Sequence, residues 1–226
     1  MASVPDCAVA IMAKAPTPGQ VKTRLCPPLS YEEAAHLYRC FLLDKIDQVK
    51  ALQRAERAIA YTPEDSKSFF EALASPAFLF VPQTGPDLGA RLINTLTQLL
   101  ALGYQKVMAI DSDTPTLPVD HLRHGFALLN KPEIDVVLGP CEDGGYYLIG
   151  LREIHRELFD DMAWSSPQVL PETIRRAEAK RLKVACLPAW YDVDTPEDLQ
   201  RLKISLGAEE GPSGRHTKRF LIEHEL

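Results

Sequence analysis

No run of apolar residues in this 226-residue chain reaches the ~18 that a membrane-spanning helix needs. The first short apolar stretch follows Met1-Ala-Ser-Val-Pro-Asp, which has no basic residue, so a secretory signal is not expected. Cysteine is scarce and odd in number: Cys7, Cys26, Cys40, Cys141 and Cys186 form no C-x-x-C pair. A cysteine-ligated zinc site is thereby disfavoured. Free thiols in a reducing cytosol, and so a cytoplasmic protein, are expected instead. Positive charge is also short, since 25 Lys plus Arg against 31 Asp plus Glu leave a net charge of −6. That balance argues against nucleic acid or an anionic membrane as partner. Two nucleotide signatures are missing as well. Gly19-Gln-Val-Lys22-Thr23 is too short for G-x-x-x-x-G-K-[ST], and no G-x-G-x-x-G follows a strand. A P-loop NTPase and a dinucleotide-dependent dehydrogenase are disfavoured.

What remains is an ordinary globular composition, 46% hydrophobic and 25% charged, on a chain long enough to bury one core without staples. No compositional break or internal repeat divides it. A single domain over residues 1–206 is expected, with 207–226 as a C-terminal tail of charge, Gly, Pro and Ser without clear period. Apolar runs at Cys7–Met12, Ala58–Tyr61, Phe78–Val81, Lys106–Ile110, Val136–Gly139, Tyr146–Leu151 and Lys183–Leu187 read as strands. Between them lie helical segments. Ser30-Tyr-Glu-Glu33 is a capping box, and the helix after it places Ala34, Leu37, Tyr38, Phe41, Leu42 and Ile46 on one face. Thr62-Pro63-Glu64-Asp65 offers a second helix start, Leu88–Leu102 a long helix stopped by Gly103, and Val119–Leu129 a shorter one. Helices near Pro167–Lys180 and after Thr195-Pro196 complete the set. Strands alternating with helices predict a three-layer α/β/α sandwich around a mostly parallel, mixed sheet. Ligands of such sheets sit beyond the carboxyl ends of the strands, and the chemistry-bearing residues fall there.

After the first strand come Lys14, two prolines, Gly19, Lys22, Thr23 and Arg24. Cations and a flexible glycine at a strand end suit a di- or triphosphate; the plainer reading is a solvated basic loop. Asp111-Ser-Asp113-Thr-Pro115 ends the fourth strand, where alternate acids can share one hard cation. An Asp-rich turn is the plainer account. A phosphoaspartate phosphatase is disfavoured because that motif follows the first strand and does not take proline where Pro115 stands. Far along the chain, Asp192-Val-Asp194 forms a second acidic turn. Thr195 and Asp198 are explained as a helix cap, whereas Asp192 and Asp194 are not, and a metal shared between the two acidic turns is the natural inference.

Gln83-Thr-Gly85-Pro-Asp87-Leu-Gly89-Ala-Arg91 joins the third strand to the long helix. Its glycines would admit a flat base whose edge Gln83 could read, unless it is a plain loop with Asp87 as N-cap. Asp143-Gly144-Gly145 suits a backbone that passes a ligand, with an ordinary hairpin as the alternative. Trp164-Ser-Ser-Pro167 reads as a loop that could line an acceptor pocket. His121 and His124 read as exposed helix residues, and Cys141 carries no mark of a nucleophile.

Taken together, K-A-P-x-P-G-x-V-K-T-R-L, G-P-D-L-G-x-R-L, D-S-D-T-P-T-L, G-P-x-x-D-G-G-Y-Y-L-I-G-L and D-V-D-T-P-E-D-L resemble a bacterial glycosyltransferase-like family. Its members carry the labels radical-SAM/selenodomain-associated transferase or arsenosugar-biosynthesis glycosyltransferase. The resemblance spans about Cys7 to Leu202 and places the chain in the nucleotide-diphospho-sugar transferase superfamily, a GT-A-like, Rossmann-like fold. It implies that Lys14, Gly19, Lys22, Thr23 and Arg24 hold phosphates and that Gln83, Asp87, Gly89 and Arg91 flank the base. It further implies that Asp113 and Asp194 bind Mg²⁺ (or Mn²⁺), and that Asp143, Gly144 and Gly145 face the second substrate. Lys22, Asp113 and Asp143 are the expected catalytic residues. Relatives more often have glycine where Asp111 stands, so Asp113 is the safer ligand. The expected substrates are a nucleoside triphosphate or nucleotide-sugar plus a small-molecule acceptor. Glycosyl transfer, nucleotidyl transfer of the guanylyltransferase kind, and non-catalytic nucleotide sensing are the three functions the sequence leaves open. The oligomeric state is also open, a homodimer included.

Overall fold

A computed structural model describes residues 5–208 and 213–225. The start of the chain (1–4), the middle of the expected tail (209–212) and residue 226 lie outside the described residues. The first half runs β1 (Cys7–Lys14), α1 (Tyr31–Lys50), β2 (Glu56–Thr62), α2 (Lys67–Ala74), β3 (Leu79–Pro82), α3 (Leu88–Ala101) and β4 (Lys106–Ile110). The second half runs α4 (Val119–Leu129), β5 (Val136–Pro140), β6 (Tyr146–Leu151), α5 (Val169–Ala179), β7 (Val184–Cys186), α6 (Pro196–Ala208) and α7 (Arg215–Glu223).

The strands form one sheet in the order β3-β2-β1-β4-β6-β5-β7. Only β6 runs against its neighbours, β4 and β5; the remaining pairs are parallel. The mostly parallel sandwich is therefore as expected. Each central strand is apolar on both faces because helices cover both. Val9 and Ile11 of β1 belong to the core cluster that residues of α1, α2, α4 and α6 complete, and Ala8 and Ala10 to the cluster completed by α3 and α5. The chain leaves β1 toward β2 on one side and reaches β4 on the other, so a topological switch point lies between β1 and β4. Their carboxyl ends flank the crevice in which such sheets bind ligands.

Two local expectations need correction. The segment after Thr62 opens as a 3-10 turn, Glu64–Ser66, before α2, and Thr62 does not cap it. Residues 215–223, expected to belong to a tail without clear period, form the amphipathic helix α7. The buried Asp44 of α1 accepts from the backbone N–H groups of His216 (2.9 Å) and Thr217 (3.0 Å) and from the Thr217 hydroxyl (2.6 Å). A side chain of α1 thus caps α7, while Phe220 and Leu221 are buried beneath it. Among the described residues, no helix is long and apolar enough to cross a membrane.

Candidate active site

The loop after β1 turns back on itself. Leu25 is fully buried and anchors the 3-10 turn Thr23–Leu25, and Lys22 at its head adopts a left-handed backbone with φ 47°. This turn aims the Lys22 ammonium inward. Its side chain is only 5% exposed, with Nζ 2.5 Å from Asp113 and 2.7 Å from Asp194. Burial alone would lower its pKa, but the two carboxylates outweigh it and hold the ammonium above the ordinary lysine range. The Arg24 guanidinium lies 3.8 Å from Asp194 at the rim. Lys14 is exposed and its ammonium donates to the Gln20 carbonyl (2.9 Å), closing the loop that carries Gly19. Thr23 is exposed beside them.

Asp113 and Asp194 meet because the backbone after β7 crosses the strand ends. Trp190 N–H donates to the Pro140 carbonyl (3.0 Å), and Val193 N–H donates to the Asp113 carbonyl (3.0 Å). Asp198 accepts from Thr195 and Asp194, so the cap of α6 fixes the end of the same crossing segment.

The loop after β4 rests on one face of α1. The Tyr38 hydroxyl is 2.8 Å from that of Ser112, and Gln48 donates to the Pro115 carbonyl (2.7 Å). Between them Lys45, fully buried, lies 3.1 Å from Asp111 and also bonds the Thr114 hydroxyl. Burial pushes the Asp111 carboxyl up, Lys45 opposes that rise, and the charge of Asp113 adds to it. Asp111 thus answers to a cation beneath the loop, whereas Asp113 faces Lys22. Nothing in the local sequence announces Lys45. It reads as one more charged residue on an amphipathic helix, and only the loop packed over it reveals its function.

Asp143 sits in the turn of the β5–β6 hairpin, where it accepts from Gly145 N–H (2.8 Å). The double glycine thus lies in the turn of a hairpin. A side chain on Gly144 (φ +91°) would strike Pro167, whose loop the hairpin supports. Beyond the turn, Cys141 Sγ and a carboxylate oxygen each of Asp143 and Asp192 lie within 4.8 Å of one another. Burial and the adjacent Asp194 and Asp143 raise the Asp192 pKa to about 7. Burial and the same acidic surroundings push the Cys141 thiol well above the ordinary cysteine range, so it stays protonated and is no nucleophile.

The segment expected to flank a base is occupied with its own chain. The Gln83 amide donates to the Ala13 (3.1 Å) and Ala60 (2.7 Å) carbonyls, which ties β1 to β2 and leaves only its oxygen to accept. Asp87 caps α3 through Ala90 N–H (2.8 Å), and Arg91 Nε reaches the Gly85 carbonyl (3.2 Å). At Gly89 a Cβ would lie 2.8 Å from the Phe159 carbonyl and 3.0 Å from Trp164. The glycine permits close packing of the Trp164 loop on α3. His121 is half-buried, not exposed: Nδ1 is 3.2 Å from the Tyr147 hydroxyl and its ring packs edge-on to Trp190.

Lys22, Arg24, Asp113, Asp143 and Asp194 thus converge at one end of the sheet. Lys14, Gly19 and Thr23 lie on the exposed first loop. Such a doubly covered sheet, with acids and cations gathered beyond its switch point, defines the fold class of the nucleotide-diphospho-sugar transferases. Over 98% of its length the chain superimposes on a protein of Desulfovibrio desulfuricans G20 described as a candidate nucleotide-diphospho-sugar transferase. The two are 32% identical, the match covers 96% of that chain, and the TM-score is 0.90. The fold is shared more distantly with a cytidylyltransferase of Leptospira borgpetersenii (13% identity, 98% and 95% covered, TM-score 0.59). It is also shared with glucosyl-3-phosphoglycerate synthase of Mycobacterium tuberculosis, solved with Mn²⁺, UDP and glucosyl-3-phosphoglycerate (13% identity, 89% and 78% covered, TM-score 0.52). No curated protein matches the sequence significantly. The chain belongs to the family described as "uncharacterized protein conserved in bacteria" (DUF2064), whose profile matches residues 45–166.

Proposed function

We propose that the protein is a metal-dependent transferase that moves a glycosyl group from a nucleotide-sugar to a small-molecule acceptor. The narrower label, a transferase of the radical-SAM/selenodomain-associated or arsenosugar-biosynthesis type, belongs to the same proposal. One observation carries it: two carboxylates from distant parts of the chain, Asp113 and Asp194, clasp a single cationic group at the switch point. The 32% identical relative described as a candidate nucleotide-diphospho-sugar transferase supports it.

The donor set fits the hard divalent ion expected of this fold. The Lys22 ammonium stands where a cation between the two carboxylates would sit, and oxygen donors suit Mg²⁺ or Mn²⁺. When bound, such an ion stabilises the charge of a diphosphate leaving group. The protein's own residues do the rest. Lys22 and Arg24, with Lys14 on the same loop, offset phosphate charge and orient the donor. Asp143 or Asp192 takes the proton of the acceptor hydroxyl as its oxygen bonds to the sugar carbon. The bond from that carbon to the diphosphate breaks, and the nucleoside diphosphate leaves with the bonding pair. A second reading, nucleotidyl transfer, is favoured by the three cations of the first loop, which suit a triphosphate; there pyrophosphate leaves.

Incubation with Mg²⁺, individual nucleotide-sugars or nucleoside triphosphates, and an acceptor panel separates the two. Nucleoside diphosphate is the expected product; pyrophosphate supports the second reading. Nucleotide binding without turnover under any combination makes the protein a sensor. Asp113→Asn is expected to abolish metal-dependent turnover, a loss of at least a hundredfold, with an unchanged circular dichroism spectrum. Wild-type turnover by this variant overturns the metal assignment.

A further inference from the structure

Beside Asp113 opens a cavity of about 250 Å³ between the β5–β6 hairpin and the Trp164 loop. Its apolar walls are Leu88, Tyr146, Trp164 and Val169, and Ser165 and Ser166 add hydroxyls. Its remaining polar wall is acidic: Asp111, Asp113, Asp143 and Asp192. Among the described residues, no lysine, arginine or histidine lines it. Two of the four acidic side chains are paired from outside, Asp111 with Lys45 (3.1 Å) and Asp113 with Lys22 (2.5 Å). Asp143 and Asp192 have no ion pair among the described residues, and their carboxylates lie within 4.8 Å of each other.

These features fix what the cavity can hold. In the metal-free protein, a phosphate or carboxylate entering it would meet two acidic side chains without a cationic partner and find no cation in the wall, and like charges brought together in a partly desolvated site repel strongly. A hydroxyl has the opposite fortune, since an ionised carboxylate is an acceptor only and takes O–H donors well. The faces of Trp164 and Tyr146 offer apolar surface to the C–H face of a ring or chain. We infer that this cavity is the acceptor site and that it takes an uncharged polyhydroxy compound, a sugar or polyol without phosphate or carboxylate. The inference rests on the transferase reading for the word acceptor; the selectivity follows from the cavity alone. It also bears on the choice of reaction, because nucleotidyl transfer to a phosphorylated molecule would bring an anion to a wall that repels it.

Saturation-transfer NMR on the unmodified protein tests this without turnover. The probes are glycerol and ribose against glycerol phosphate and ribose phosphate. The neutral compounds are expected to show transfer, and the phosphates to bind at least tenfold more weakly. Asp143→Asn/Asp192→Asn is expected to shrink that discrimination about tenfold. Trp164→Phe, which keeps an aromatic against Gly89, is expected to weaken the neutral compounds severalfold. Phosphates binding as well as their neutral counterparts, or neither class binding, overturns the inference. Calorimetric titration with nucleotide-sugar and Mg²⁺ is run in parallel. Nucleotide binding alongside a phosphate-preferring cavity sinks the inference and spares the transferase. Polyol binding without any nucleotide binding sinks the transferase and spares the cavity's selectivity.

Discussion

Lys22 is a tethered cation in a place suited to a free one. Its ammonium is nearly buried, while the Asp113 and Asp194 side chains that hold it are about a third exposed (36% and 37%). Removing one member of such a cluster leaves like charges facing each other in a partly desolvated pocket. Lys22→Met is therefore expected to destabilise the protein by about 1–3 kcal/mol, below the figure for a fully buried pair because water reaches both acids. Millimolar Mn²⁺ should restore most of that loss. In the wild type the ion must displace the ammonium, so nucleotide-free Mn²⁺ binding, followed by electron paramagnetic resonance, is expected to be weaker than in Lys22→Met. Equal Mn²⁺ affinity in the two proteins would show that the ammonium and the ion do not compete. The sequence showed Lys22 and both carboxylates as candidates, because each stands after an apolar strand where packing gives no reason for charge. It concealed that they touch, since that contact depends on how the segment after β7 crosses the sheet.

At the scale of elements, α1 is the hub. Its apolar face was legible from the spacing of Leu37, Tyr38, Phe41 and Ile46, all of them buried. Its polar residues misled, because Asp44, Lys45 and Gln48 are buried too and each serves a different neighbour. Lys45 and Gln48 hold the loop after β4, and Asp44 holds α7. What holds the helix at 215–223 was hidden for the same reason, although its short amphipathic pattern is in the sequence. Its capping residue lies far away in the chain, Gly214 gives no side-chain cap, and its other anchors are the buried Phe220 and Leu221 and the contacts of Asp47 with Arg215 (2.8 Å) and His216 (2.9 Å). Asp44→Ala removes its own three bonds to the start of α7 at once and leaves those of Asp47 to Arg215 and His216. It is expected to cost about 1–2 kcal/mol, the worth of a helix cap, and to speed tryptic cleavage at Arg215 and Arg219 well before global unfolding. Unchanged cleavage would mean that Asp47, Phe220 and Leu221 hold the helix without its cap.

Over the whole molecule, the alternation of short apolar runs with amphipathic segments was enough to fix the layered class, since both faces of the sheet are covered. Strand order and the reversal of β6 were not readable, because pairing between distant strands leaves no local trace. The net charge of −6 was visible, but not its gathering: Asp111, Asp113, Asp143, Asp192 and Asp194 all lie near one end of the sheet. This gathering makes stability depend on pH in a direction opposite to that of a salt-bridged aspartate. The Asp192 carboxyl titrates at about 7 in the folded chain, raised by burial and by Asp194 and Asp143, against ~3.9 when unfolded. Between those values the folded state holds a proton that the unfolded chain has released, so this group's contribution falls as pH rises and is fully lost above about 7. Solvent screening of a partly exposed group limits the effect to the order of 1 kcal/mol. Asp192→Asn cannot ionise and is expected to gain on the wild type as pH rises from 5 to 8, read as a growing difference in urea midpoint. Mg²⁺ should narrow that difference at pH 8, because a cation among these acids relieves the repulsion that asparagine removes outright. A difference that stays constant across the range would show that Asp192 is already ionised at pH 5, and that the acidic cluster is better solvated than its packing indicates.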